Sequence, residues 1–175
     1  MTTTAYLVNI ALIGLVLLQI RGRRLTRAAL LVPVMITVWV ASQYLHGIPT
    51  AGNDVLLEVG LALTGATLGV LAGLTTRIRL DGGVGVAKAG LVAAVLWVVG
   101  VGSRMAFSVW ASHGGAPAIV RFSMAHHITS SATWTAAFVL MALAEVLGRT
   151  GVLYVKTRRT GAVIPRGGLL RPAAA

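Results

Sequence analysis

Five apolar stretches, each close to the length that crosses a bilayer, constrain this chain more than any other feature. They run from roughly Thr4 to Ile20, Ala28 to Leu45, Val55 to Thr75, Ala89 to Trp110 and Ile128 to Leu147. A helix rising ~1.5 Å per residue needs about 20 mostly apolar residues to cross ~30 Å of hydrocarbon. Within lipid each backbone N–H and C=O must be satisfied inside its own segment, so the stretches are read as helices. The expected fold class is all-α, a polytopic membrane bundle of about five transmembrane helices without internal repeats. Composition agrees: 57% of residues are hydrophobic, 11% are charged and mean hydropathy is +0.86, outside the range of ordinary water-soluble domains.

The basic residues orient the bundle. Lys and Arg near helix ends are retained on the cytoplasmic side. Arg21, Arg23, Arg24 and Arg27 follow the first stretch, Arg77, Arg79 and Lys88 join the third to the fourth, and Arg149, Lys156, Arg158, Arg159, Arg166 and Arg171 follow the fifth. Thirteen of the fifteen basic residues thus fall on one side. This predicts a multi-pass protein of the cytoplasmic (inner) membrane with its amino terminus outside and its carboxyl terminus in the cytoplasm. The first stretch is not read as a cleaved signal peptide, because no positive residue precedes it and a basic cluster follows. The net charge of +11 does not imply a nucleic-acid partner, because the cations sit between apolar runs and not on one face of a soluble module. Without cysteine, thiolate metal sites, disulfides and Cys nucleophiles are excluded.

The loop from Arg77 to Val86 alternates on both sides of Asp81-Gly82, a dipeptide favoured in tight turns, and predicts a small cytoplasmic β-hairpin between the third and fourth spans. Its Gly85-Val86-Ala87-Lys88 end lacks the spacing and the following Ser or Thr of a phosphate loop. The chain divides into a transmembrane domain, 1–149, and a basic cytoplasmic tail, 150–175, expected along anionic lipid headgroups.

Helical spacing groups the side chains into faces. Gly65, Gly69 and Gly73 leave one face of the third span bare for close packing, and Glu58 and Ala62 continue that face. Gly90, Ala93, Trp97, Gly100 and Arg104 share a face of the fourth span. An unpaired charge at this depth is costly, so Glu58 and Arg104 are expected to form an ion pair. In the fifth span His127, Ser131, Trp134, Phe138, Met141 and Glu145 share a face, with Glu145 expected to pair with Arg149 at the interface.

The polar residues collect at the outer ends of spans two to five: Gln43, Tyr44, His46, Asp54, Glu58, Arg104, His113, Arg121, His126 and His127. Three readings compete. The residues anchor helix ends in the headgroup layer. Alternatively, His46 with His126 or His127 holds a metal or haem, although no ligand pair has helical spacing and no metal or other cofactor is expected. Lastly, a buried carboxyl, Glu58 or Asp54, protonates an apolar small molecule shielded by Trp97 and Trp134, with Arg104, His127, His46 and Tyr44 lining the pocket. This last reading is similar in architecture to the small integral membrane terpene cyclases.

The order of loop features resembles that of the DUF1453, or CcdC-like, family of bacterial membrane proteins, especially its actinobacterial members. The carriers are Gln19, Ile20, Arg21, Gly22, Arg23 and Arg24, then Gly69 through Thr75, Thr76, Arg77, Ile78 and Arg79, then Asp81-Gly82, Lys88 and a helix holding Arg104. The resemblance implies a membrane accessory or scaffold protein and supplies no catalytic residues. The family label mentions cytochrome c biogenesis, but the absence of Cys argues against a thiol or haem-lyase role.

Overall fold

The computed structural model describes residues 23–44, 49–81 and 83–161; the first apolar stretch, His46 and the tail beyond 161 lie outside them. Strand β1 (Arg23–Arg24) leads into helix α1 (Arg27–Tyr44). Helix α2 (Asp54–Thr75) is followed by strands β2 (Arg77–Asp81) and β3 (Val84–Lys88) and helix α3 (Leu91–Trp110). An irregular turn (Ala111–Gly115), helix α4 (Ala116–Ala125) and the long helix α5 (Ser131–Arg159) complete the order.

Among the described residues three helical segments are long and apolar enough to cross a membrane: Asp54–Thr75, Leu91–Ala125 and Ser131–Arg159. They meet three of the five expected spans. α1, apolar through Gln43, is shorter than that length, and the first stretch is not among the described residues.

α5 is the hub, and its most extensive partner is α2. A Cβ at Gly65 would overlap the carbonyl oxygen of Met141, and one at Gly69 that of Glu145, so the two backbones touch along the bare face. Both helices advance four residues in the same direction between these contacts, so α2 and α5 run parallel, as expected of spans separated by one other. From α5, Gly148 returns the approach, with space for a Cβ closed by the Ala66 carbonyl at 3.0 Å. Small residues at steps of four permit such backbone contact, and dispersion then acts over the whole seam.

The ends of this seam are tied by polar groups. At one end Lys156 Nζ donates to the carbonyls of Gly73 (3.4 Å), Leu74 (2.9 Å) and Thr76 (2.6 Å), placing a cation on the last turn of α2 where the helix dipole is negative. At the other end the fully buried Asp54 carboxylate accepts from the Thr129 backbone N–H (2.9 Å) and from the Thr129 hydroxyl. Asn53 adds bonds to the carbonyls of His127 (3.1 Å) and His126 (3.0 Å), and Ser130 caps α5.

The predicted hairpin is present: β2 and β3 are antiparallel, with Arg77 opposite Lys88, Ile78 opposite Ala87 and Arg79 opposite Val86. The loop after the first stretch adds a strand that periodicity did not predict, since β1 pairs with β3 and makes it the centre of a three-stranded sheet. Ile78 and Ala87 pack on a small apolar core of Leu25, Leu30 and Leu153. That core explains why α5 does not stop near Leu147: the helix continues to Arg159, with Leu153 and Thr157 buried, so 150–159 belong to the packed body and not to a free tail.

Candidate functional site

α3 meets α5 differently from α2. The chains run antiparallel, and where they approach, Arg104 Nη2 donates to Glu145 Oε2 at 3.0 Å. Gly100, one turn before Arg104, makes room for this carboxylate: a Cβ there would lie 2.5 Å from Oε1 and 2.7 Å from Oε2. The expected Glu58–Arg104 pair is therefore corrected. Glu58 lies on the glycine face that α2 turns toward α5, and α5 itself supplies the carboxyl that reaches α3. Glu145 likewise is not an interfacial partner of Arg149 alone; it is buried at the junction of three helices, with its backbone against Gly69 and its side chain against Gly100.

From this pair toward the loop end, aromatic rings take over. Phe107 stacks on Trp134 at 5.1 Å and tilts against Phe138 at 4.8 Å, with Trp110 edge-on at 6.0 Å. The chain then turns at His113 and Gly114, whose φ of 104° suits glycine, and Gly115 lies against the Trp110 ring. Helix α4 follows where a loop from Ala111 to His127 was expected. It is tied to α5 by Trp134 Nε1 donating to Ser123 Oγ at 3.1 Å and by Phe122 against Trp134 at 5.9 Å.

Among the described residues, α1, α3, α4 and α5 border an open cleft of about 600 Å³. Arg104, Phe107 and Ser108 line it from α3, Trp134, Phe138, Val139 and Ala142 from α5, Ile119 from α4, and Thr37 and Val40 from α1. Among the described residues Arg104 is the one charged group on its walls. The lining is mostly apolar, with a few hydroxyl groups beside the one guanidinium.

Of the residues singled out from sequence, Arg104 and Trp134 are brought together here. Trp97 is half-buried on α3 outside the cleft, and His127 is exposed, contributing its carbonyl to Asn53. His46 and the Tyr44 side chain lie outside the described residues. Asp54 and Glu58 line no part of the cleft. Asp54 is occupied by Thr129, whereas Glu58 is 5% exposed with Oε1 lacking a hydrogen-bond partner among the described residues. The same holds for Arg104 Nη1. Among the described residues no group of three His, Asp or Glu side chains converges as a metal site would require.

Sequence reasoning missed Phe107, Ser108, Thr135 and Phe138 as one surface. The signal was present as spacing: 104, 107 and 108 on α3, and 131, 134, 135, 138, 139 and 142 on α5, recur at steps of three and four. What spacing lacked was the knowledge that these two faces oppose one another. Comparison with known proteins adds no identity, since no family model, no curated protein and no solved structure matches the chain.

Proposed function

We propose that this protein is a five-span accessory protein of the cytoplasmic membrane, amino terminus outside and carboxyl terminus inside, which binds an apolar small molecule drawn from the bilayer. The observation that carries the binding reading is the cleft: aromatic faces of Phe107, Trp134 and Phe138 line a space of about 600 Å³ between helices. The loop resemblance to the CcdC-like family supports an accessory role, and the charge distribution supports the orientation. An acid-catalysed conversion is less well supported, since neither Glu58 nor Asp54 reaches the cleft.

Native mass spectrometry of protein released from nanodiscs tests the reading. Wild type and Glu58→Gln retain the same apolar molecule, whereas Thr135→Trp, which fills the cleft from an exposed position, releases it. Identical contents in wild type and Thr135→Trp would remove the cleft as the site.

A further inference from the structure

The sheet carries a group of exposed cations, distinct from the cleft. In an antiparallel pair, residues directly opposite project to the same face, with Cβ atoms about 4.5–5.5 Å apart. Arg77 and Lys88 are such a pair, and Arg79 lies two residues further along the same face of β2. The opposite face is the one that Ile78 and Ala87 turn to the core. All three cations are exposed, and no hydrogen bond or ion pair joins them to another of the described side chains, among which the Asp81 carboxylate is not included. Like charges opposite one another destabilise a strand pair unless an anion lies between them.

The position of the pair selects the anion. Leu74, at the end of α2, is 56% exposed and Leu91, at the start of α3, is 77% exposed, as suits side chains that face hydrocarbon. Arg77 stands three residues beyond Leu74 and Lys88 three residues before Leu91, so on the membrane-spanning reading proposed above both cations stand where hydrocarbon gives way to headgroups. Thr76 alone separates α2 from β2, and Ala89 and Gly90 separate β3 from α3, which holds the pair in that layer. A guanidinium donates to two phosphate oxygens at once, and an ammonium serves as a point charge on a third.

We propose that Arg77 and Lys88, assisted by Arg79, form a binding site for the phosphate of an anionic phospholipid headgroup. The site draws its ligand from the leaflet facing the sheet, and its occupant relieves the repulsion between the paired strands.

Native mass spectrometry of the full chain in mild detergent, with equimolar phosphatidylglycerol and phosphatidylcholine, tests this. Wild type retains phosphatidylglycerol in preference, and retention falls on the order of 5-fold for each cation removed in Arg77→Gln and Lys88→Gln. Arg121→Gln, on α4, leaves it unchanged. Equal retention of the two lipids by wild type, or undiminished phosphatidylglycerol in the double variant, overturns the site. Should the double variant not fold, wild type alone decides, because thermal protection by phosphatidylglycerol must exceed that by phosphatidylcholine and weaken with salt. Equal protection by inorganic phosphate, or preferential binding of polyglutamate, would each reject the lipid as occupant.

Discussion

α5 presents one face to α2 and another to α3, and the two seams are built on opposite terms. Toward α2 it is met by glycines, and backbone lies on backbone with no room for a Cβ at Gly65 or Gly69. Toward α3 it is met by large rings and one ion pair, with a cleft left open beside them. The first seam is continuous from Asp54 to Lys156 and closed by polar ties at both ends. The second is held where Arg104 meets Glu145 and opens toward α4. Without a hydrophobic drive between helices in lipid, close packing gives a rigid pair, and polar contacts fix how a third helix sits on it. The cleft lies beside the second kind of seam, where space can exist without breaking the body.

The largest effect is expected from breaking the first seam. Gly69→Leu places a side chain into the Glu145 carbonyl, and overpacking that displaces backbone costs about 3 kcal/mol or more. Size-exclusion chromatography in detergent should show loss of the folded peak. Gly60→Leu, with open space around its Cβ, is the matched control and should elute as wild type.

Next is the ion pair. Arg104→Gln or Glu145→Gln strands the remaining charge and should lower stability by about 3 kcal/mol in a denaturant titration. The two losses should be non-additive in the double variant, whereas Glu58→Gln with Arg104→Gln should add. Additivity of Arg104 and Glu145 would mean that the second seam is held by its rings and not by charge.

A smaller effect is expected at the sheet end. Lys156→Met removes a charged donor to three carbonyls of α2 and should cost about 2 kcal/mol, read as a lower thermal midpoint with the cleft ligand retained. Smallest is Ser123→Ala, which removes one bond to Trp134 and should cost about 1 kcal/mol. Its sharper readout is Trp134 fluorescence: if α4 moves away, emission shifts although stability scarcely changes. An unchanged spectrum would show that Phe122 alone keeps α4 in place.

The glycine face of α2 and the β2–β3 hairpin were legible because each depends on local spacing, steps of four in one case and alternation about Asp81-Gly82 in the other. The polar face of α5 was legible for the same reason, and Met141 and Glu145 on it are buried. The partner of Arg104 was not legible. Glu58 and Glu145 both lie on inward faces of helices, and periodicity ranks them equally. The ranking depends on which carboxyl the packing carries to the arginine: α3 touches α2 as well as α5, and Glu145 of α5 is the one that reaches Arg104. Strand β1 was hidden because two residues carry no period, and α4 because its ten residues follow a break at Gly114 within a segment read as loop.

The sequence by itself determined that this chain is helical, that it carries stretches long and apolar enough to cross a membrane and that small residues line one face of α2, because hydropathy and helical spacing are properties of each segment alone. Only the tertiary structure decided that α5 is the hub, that Glu145 and not Glu58 neutralises Arg104, and that aromatic residues of α3 and α5 line one cleft among the described residues. Those outcomes depend on which faces oppose one another, and that is settled by the backbone contact of Gly65 and Gly69 with α5, which leaves the other side of the hub to meet everything else.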